Sequence, residues 1–321
     1  MGYKVVVDLG GTKMLAALVN ERDEIVIKHR YSGEAGAGPH KITGNLAAIV
    51  EQLHKEADVS REEFDGLGLC VAGFYDYKAG EMYISPNLPG WEGFPLKKEL
   101  SGLLDRPVVI ENDANAAAYG EYLLGAGKGM ENIVQVTLGT GIGGGIIIGG
   151  KIYRGASFAG EIGHLIVLPS GPLCGCGNRG CLETLSSGTA IAREGRLLLK
   201  SDTRTMLKQM VENIDDLGAT HVFDAARKGD PAANGIVKKA AYFLGLGLAG
   251  VVNILNPDAI IFSGGLSQVG ELFWAPVRES LERAAIKPAA KKVSLLVTEL
   301  GEEAGIKGIL ALLNEFLQLK Q

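Results

Sequence analysis

No apolar run in this chain is long enough to cross a bilayer. The longest, residues 240–252, falls short of the ~20 residues a spanning helix needs, and glycines interrupt it. No signal peptide opens the sequence. Basic charge is not in excess either: 32 Lys and Arg stand against 37 Asp and Glu, a net charge of −5, and no basic stripe is visible. The charge balance argues against nucleic acid as the main partner, and the short apolar runs argue against a membrane. The expectation is a soluble, cytoplasmic chain. Low-complexity tracts and blocks of like charge are also missing, so no disordered tail is expected. Cysteine is scarce, with four in 321 residues. In a reducing compartment such cysteines serve as metal ligands more readily than as disulfide partners. Cys70 lies alone in an apolar strand pattern and reads as a buried structural thiol.

What the chain has in abundance is glycine, 46 residues, about twice the usual share. The glycines cluster at residues 10–11, 139–145 and 264–265, where backbone must bend or approach a ligand closely. The length suits two domains rather than one core. Residues 4–8, 13–19 and 24–29 read as a strand meander, 42–57 as an amphipathic helix and 66–71 as a buried strand. Residues 72–93 show no period and read as a long loop. A helix over 94–104, a strand over 107–111 and an alanine-rich helix over 115–124 follow. The pattern of the opening then recurs: residues 133–138 lead into a glycine turn and a second meander. Aligning DLGGT at 8–12 with TLGTG at 137–141 suggests a duplicated α/β architecture. Helices are expected over 184–200, 222–228, 232–255, 271–285 and 302–319, and strands over 259–262 and 292–298.

Two familiar phosphate motifs fail on context. GTGIGG at 139–144 fits a dinucleotide fingerprint but precedes a β-branched run rather than a helix. GIIIGGK at 145–151 fits a Walker loop until Ile152, which offers magnesium no hydroxyl.

A glycine turn between strands can point several N–H groups at one anion. Gly10, Gly11 and Thr12 on one side, with Thr140 and Gly141 on the other, could grip a triphosphate, and Lys13 adds charge. Asp8 at a strand end suits a magnesium ion held through water. Two ordinary hairpins would look the same. Asp113 follows a strand and precedes a helix beside Asn112. It is either a helix N-cap or a base that accepts a hydroxyl proton during phosphoryl transfer. His164, Cys174, Cys176 and Cys181 form a closed donor set for a structural zinc, unless the cysteines are redox-active or incidental. Such a zinc would lock a loop, residues 161–183, that carries Glu161 and Glu183.

Together, DLGGTK at 8–13, ENDANAAAYGE at 111–121, LGTGIGGG at 138–145, AGEIGH at 159–164, CGCGNRGCLE at 174–183 and SGG at 263–265 resemble the ROK family of bacterial sugar kinases and repressors, most of all its glucokinases. The resemblance spans nearly the whole chain. It implies an α/β, two-domain actin/hexokinase-like (ribonuclease H-like) ATPase fold with duplicated mixed sheets, the domains closing like a jaw. The smaller domain would take residues 1–114 plus the C-terminal helix 302–321. The larger would take 115–301 with the zinc loop. Asp113 would be the general base. Asn87, Asn112, Glu161, His164 and Glu183 would bind sugar hydroxyls, His164 using one ring nitrogen for zinc and the other for sugar. Gly10 to Lys13, Thr140 and Gly141 would hold phosphates, and Gly264 and Gly265 would border the nucleoside. The implied reaction is ATP- and Mg2+-dependent phosphorylation of the 6-hydroxyl of a hexose, glucose first, by a homodimer or higher homo-oligomer. N-acetylglucosamine, N-acetylmannosamine, mannose and fructose are alternative substrates. A sugar-sensing regulator is the alternative role, and the strand starting at Lys4 leaves no room before it for a helix-turn-helix. One departure concerns the sugar wall. Many members carry Pro-Gly-Pro where this chain has VAGFY at 71–75.

Overall fold

The computed structural model describes residues 2–85, 88–201 and 203–319. Chain order begins with β1 (Tyr3–Leu9), β2 (Lys13–Val19), β3 (Ile25–Ser32), α1 (Pro39–Glu56) and β4 (Phe64–Val71). Next come β5 (Phe74–Asp76), β6 (Glu81–Ile84), α2 (Leu96–Leu104), β7 (Val108–Asn112) and α3 (Asp113–Leu124). The second half holds β8 (Ile133–Leu138), β9 (Ile142–Ile148), β10 (Lys151–Ile152), α4 (Glu183–Ser186), α5 (Gly188–Leu199), α6 (Ala219–Arg227) and α7 (Pro231–Leu255). It ends with β11 (Ala259–Ser263), α8 (Glu271–Ala284), α9 (Lys287–Ala290), β12 (Ser294–Val297) and α10 (Ala304–Gln318).

The expected duplication is present. One five-stranded sheet runs β3-β2-β1-β4-β7 and the other β10-β9-β8-β11-β12, the same order of connections in each. In the first sheet β1, β4 and β7 are parallel, with β2 and β3 added antiparallel at one edge. In the second, β8, β11 and β12 are parallel and β10 pairs antiparallel with β9. Parallel strands align their carboxyl ends along one sheet edge, where α/β proteins bind ligands. Register fixes what stands there: Asp8 is level with Cys70, Val71 with Asn112, and Ser263 with Thr137.

Two compact units result. The first takes residues 1–129, 145–160 and 299–321, and the second takes 130–144 and 161–298. The division therefore differs from a cut at residue 114: α3 packs on α10 within the first unit, and the boundary near residue 145 falls inside β9. Side-chain alternation along β1 and β4 explains the first unit's layers. Val5, Val7, Leu9, Leu67, Leu69 and Val71 pack toward α1 and α2. Val6 and Cys70 face the other way, onto Ile306 and Ile309 of α10. Cys70 is fully buried, its thiol donating to the Gly305 carbonyl at 3.3 Å. In the second unit Val134, Val136, Ile260 and Phe262 share a core with α7 and α8. Among the described residues α7 is the one helix long and apolar enough to cross a membrane, but over half of its most apolar window is buried in the protein. It ends at Asn256, whose left-handed φ of 43° caps it.

Two expectations are corrected. Residues 72–93 are not one loop, because β5 and β6 pair as a hairpin, strands too short to show a period. Residues 184–200 are not one helix: Ser187 is extended and its side chain accepts the Ala190 N–H, so α4 stops and α5 starts anew.

Candidate active site

The first unit collects Asp8, Lys13, Asn112 and Asp113 around the carboxyl ends of β1 and β7. Asp113 is the first residue of α3, but the cap is Asn112, whose Oδ1 accepts the N–H groups of Ala114 at 3.0 Å and Asn115 at 3.1 Å. A cap of this kind contributes about 1 kcal/mol. The cap is thus the neighbour, and Asp113 shares the Ala114 N–H with it, at 2.9 Å. Burial raises the Asp113 carboxyl above its ordinary value, the backbone N–H bonds opposing the rise. Asp8 is raised to about 7, first by burial and then by the charge of Asp113, with Lys13 pulling down and Glu302 up. Asp8 thus stands near enough to Asp113 to feel its charge, a place that suits a cation. Lys13 is itself paired with Glu302 at 3.1 Å. Gly10 closes the β1–β2 turn by donating to the Lys13 carbonyl at 3.0 Å.

Asn112 also donates from Nδ2 to the Gly73 carbonyl, 3.1 Å away. Gly73 has φ of 111°, and a Cβ there would lie 2.6 Å from that of Ser85, so VAGFY keeps the glycine its wall needs. Asn87 lies outside the described residues.

The second unit collects the remaining candidates. The ligand atoms of His164, Cys174, Cys176 and Cys181 all lie within 4.8 Å of one another. Cys174 Sγ is 3.6 Å from His164 Nδ1, and Cys176 Sγ is 3.6 Å from Cys181 Sγ. A tetrahedron with metal–sulfur bonds of ~2.3 Å has edges of about 3.8 Å, so the set fits zinc with no position left for water. The other ring nitrogen, His164 Nε2, is 3.9 Å from Glu161 Oε2. One imidazole thus faces the thiols on one side and a carboxylate on the other.

Glu183, at the start of α4, accepts the Ile142 N–H at 2.9 Å. A Cβ on Gly141 would sit 2.3 Å from its Oε2, so glycine is what lets the carboxylate reach this turn. The turn is further held by Gly188 and Thr189 at the start of α5, which donate to the carbonyls of Gly139 at 2.8 Å and Thr140 at 3.4 Å. A cavity of about 510 Å³ opens beside it, walled by Thr140, Thr189, Ala192, Phe223, Gly265 and Leu266 among others. Gly265 lines it and Gly264 does not: Gly264 stacks against the Leu138 backbone. The sequence reading missed the walls from α5 and α6. Only the spacing of small and apolar residues on two helices, far along the chain from the turn, hinted at them.

Two sheets of one topology, each with a glycine turn at its carboxyl edge, and an apolar cavity beside one turn define the actin- and hexokinase-like class of ATPase folds. A ROK hexokinase from Thermus thermophilus superposes with a TM-score of 0.82 at 33% identity over 99% of both chains. A ROK family glucokinase from Streptomyces griseus, solved with glucose and AMPPNP, gives 0.81 at 36% identity, covering 98% of this chain and 100% of its own. A glucokinase of Halalkalibacterium halodurans is 37% identical over 308 residues, 95% of this chain and 93% of its own length. The model of the ROK family matches residues 4–315, and the chain belongs to that family.

Proposed function

We propose that this chain is a glucokinase, transferring the γ-phosphoryl group of ATP to the 6-hydroxyl of glucose. The observation that carries the reading is at α3, where Asn112 does the capping and Asp113 stands beside Asp8 with a raised carboxyl. A base with that elevation takes a hydroxyl proton more readily than an ordinary aspartate would. The similarity to glucokinases along nearly the whole chain supplies the substrate.

In the first unit, Asp113 accepts the proton and Asn112 binds a sugar hydroxyl. Gly10, Gly11, Thr12 and Lys13 hold phosphate. Asp8 would hold Mg2+, which when bound neutralises phosphate charge. In the second unit Glu161, His164 and Glu183 bind sugar hydroxyls. Thr140 and Gly141 hold phosphate, and Gly264 and Gly265 edge the nucleoside. His164, Cys174, Cys176 and Cys181 hold the structural zinc. Asn87 remains a sugar-contact candidate by resemblance. The protein works in the cytoplasm, as a homodimer, supplying hexose 6-phosphate to glycolysis; these three points rest on the resemblance.

An ADP-release assay over glucose, mannose, fructose, N-acetylglucosamine and N-acetylmannosamine tests the reading. Glucose is expected to give the highest kcat/KM. Preference for another hexose would move the substrate, and no turnover with any would favour a sugar-sensing regulator.

A further inference from the structure

Beyond the residues that meet substrate, one buried ion pair adjoins Asp113 and has no part in the proposed chemistry. Glu111, next to last in β7, has a side chain only 3% exposed. Arg154, on the loop after β10, sends Nε at 2.7 Å and Nη2 at 2.6 Å to a single Glu111 oxygen, Oε2. The guanidinium also lies over the ring of Tyr77, 4.2 Å from its centroid. The second oxygen, Oε1, accepts the backbone N–H of Asn112 at 3.1 Å and the Nδ2 of Asn115 at 3.0 Å.

The direction of these bonds matters. Both arginine donors converge on one oxygen, so the other is aimed at the strand-to-helix junction. There it grips the backbone of Asn112, the residue before Asp113, and the side chain of Asn115 in the first turn of α3, whose own backbone N–H the Asn112 cap accepts. A stacked, forked guanidinium fixes a carboxylate's orientation as well as its charge, which a lysine ammonium cannot do. Stabilisation alone is a weak reason for such a pair, since apolar residues of like volume serve a core at least as well.

We propose that Arg154 is a positioning residue for phosphoryl transfer: through Glu111 it sets the backbone of Asn112 and the first turn of α3, and so the aim of the Asp113 carboxylate. The proposal rests on the reading of Asp113 as base.

Arg154→Met alone strands a buried carboxylate and is expected to fold poorly. The decisive variant is therefore Glu111→Gln with Arg154→Met, neutral on both sides and similar in volume. It is expected to melt within about 5 °C of the parent. Its glucose affinity is expected to stay within about threefold, while kcat falls about 30- to 100-fold, because a misaimed base costs rate rather than binding. Amide exchange at Ala114 and Asn115 is expected to quicken. Arg154→Lys keeps charge without the fork and should show the same split in milder form; it carries the test if the double variant does not fold. A folded variant with kcat within about twofold of the parent, or one losing glucose affinity as much as kcat, overturns the proposal. If the parent phosphorylates no hexose, the kinase reading fails by itself. The exchange measurement then decides, unchanged protection at Ala114 and Asn115 overturning the positioning role.

Discussion

The β1–β2 turn of the first unit and the β8–β9 turn of the second occupy equivalent places in sheets of one topology, yet they are wired differently. The first carries Asp8 next to last in its strand, buried with Asp113 nearby and raised to about 7, and its lysine is tied to Glu302. The second has Thr137 at that place, bonded to Ser263 at 3.2 Å, and its backbone is pinned by Glu183 and by the start of α5. One copy of the scaffold thus concentrates charge, while the other holds neutral backbone donors still beside an apolar cavity. On the proposed function, the difference would divide the labour of phosphoryl transfer, with the base and magnesium in one half and the nucleoside and most sugar contacts in the other.

That division predicts unequal consequences of substitution. Asp113→Asn should lower kcat about 10³-fold with little change in glucose affinity. ADP release and a sugar titration measure the two, and near-parent turnover would remove Asp113 as the base. Equivalent substitutions in the two turns sharpen the contrast. Asp8→Asn should cost about 10²-fold in kcat at saturating magnesium, Thr137→Val less than about tenfold. Equal losses would mean that the two turns do the same work.

The four residues proposed to hold zinc lie wholly in the second unit. Metal analysis should find about one zinc per chain. Stripping it should lower the thermal midpoint by several degrees and weaken glucose binding more than nucleotide binding. Protein purified without chelator and found free of zinc would contradict this. The smallest effect concerns pH. A base works ionised, and burial raises the Asp113 carboxyl above its ordinary 3.8. So kcat should be full above that raised value and fall as pH drops through it. The acid limb must therefore lie above 3.8, and Thr137→Val should leave it in place. A limb at or below 3.8 would show that the group setting it is not Asp113.

Much of this was legible in the sequence. The duplication showed in two glycine turns, and the zinc set in one short stretch, because each depends on residues close together in the chain. Asp113 was legible as a junction residue, but that Asn112 is the cap was not, since Asn112 and Asp113 are equally good caps on paper. The cavity walls on α5 and α6 were not legible: Thr189 and Phe223 reach Thr140 only once the helices fold back on the sheet. The Arg154–Glu111 pair was hidden for the same reason, as was the bond from Ile142 to Glu183. The hairpin of β5 and β6 escaped because strands of three and four residues carry no readable period.

The most direct measurement is to incubate the protein with glucose, ATP and magnesium and identify the product by phosphorus and proton NMR. Glucose 6-phosphate formed in step with ADP is the predicted result. Phosphate on another hydroxyl, or ADP released without any sugar phosphate, would contradict the account.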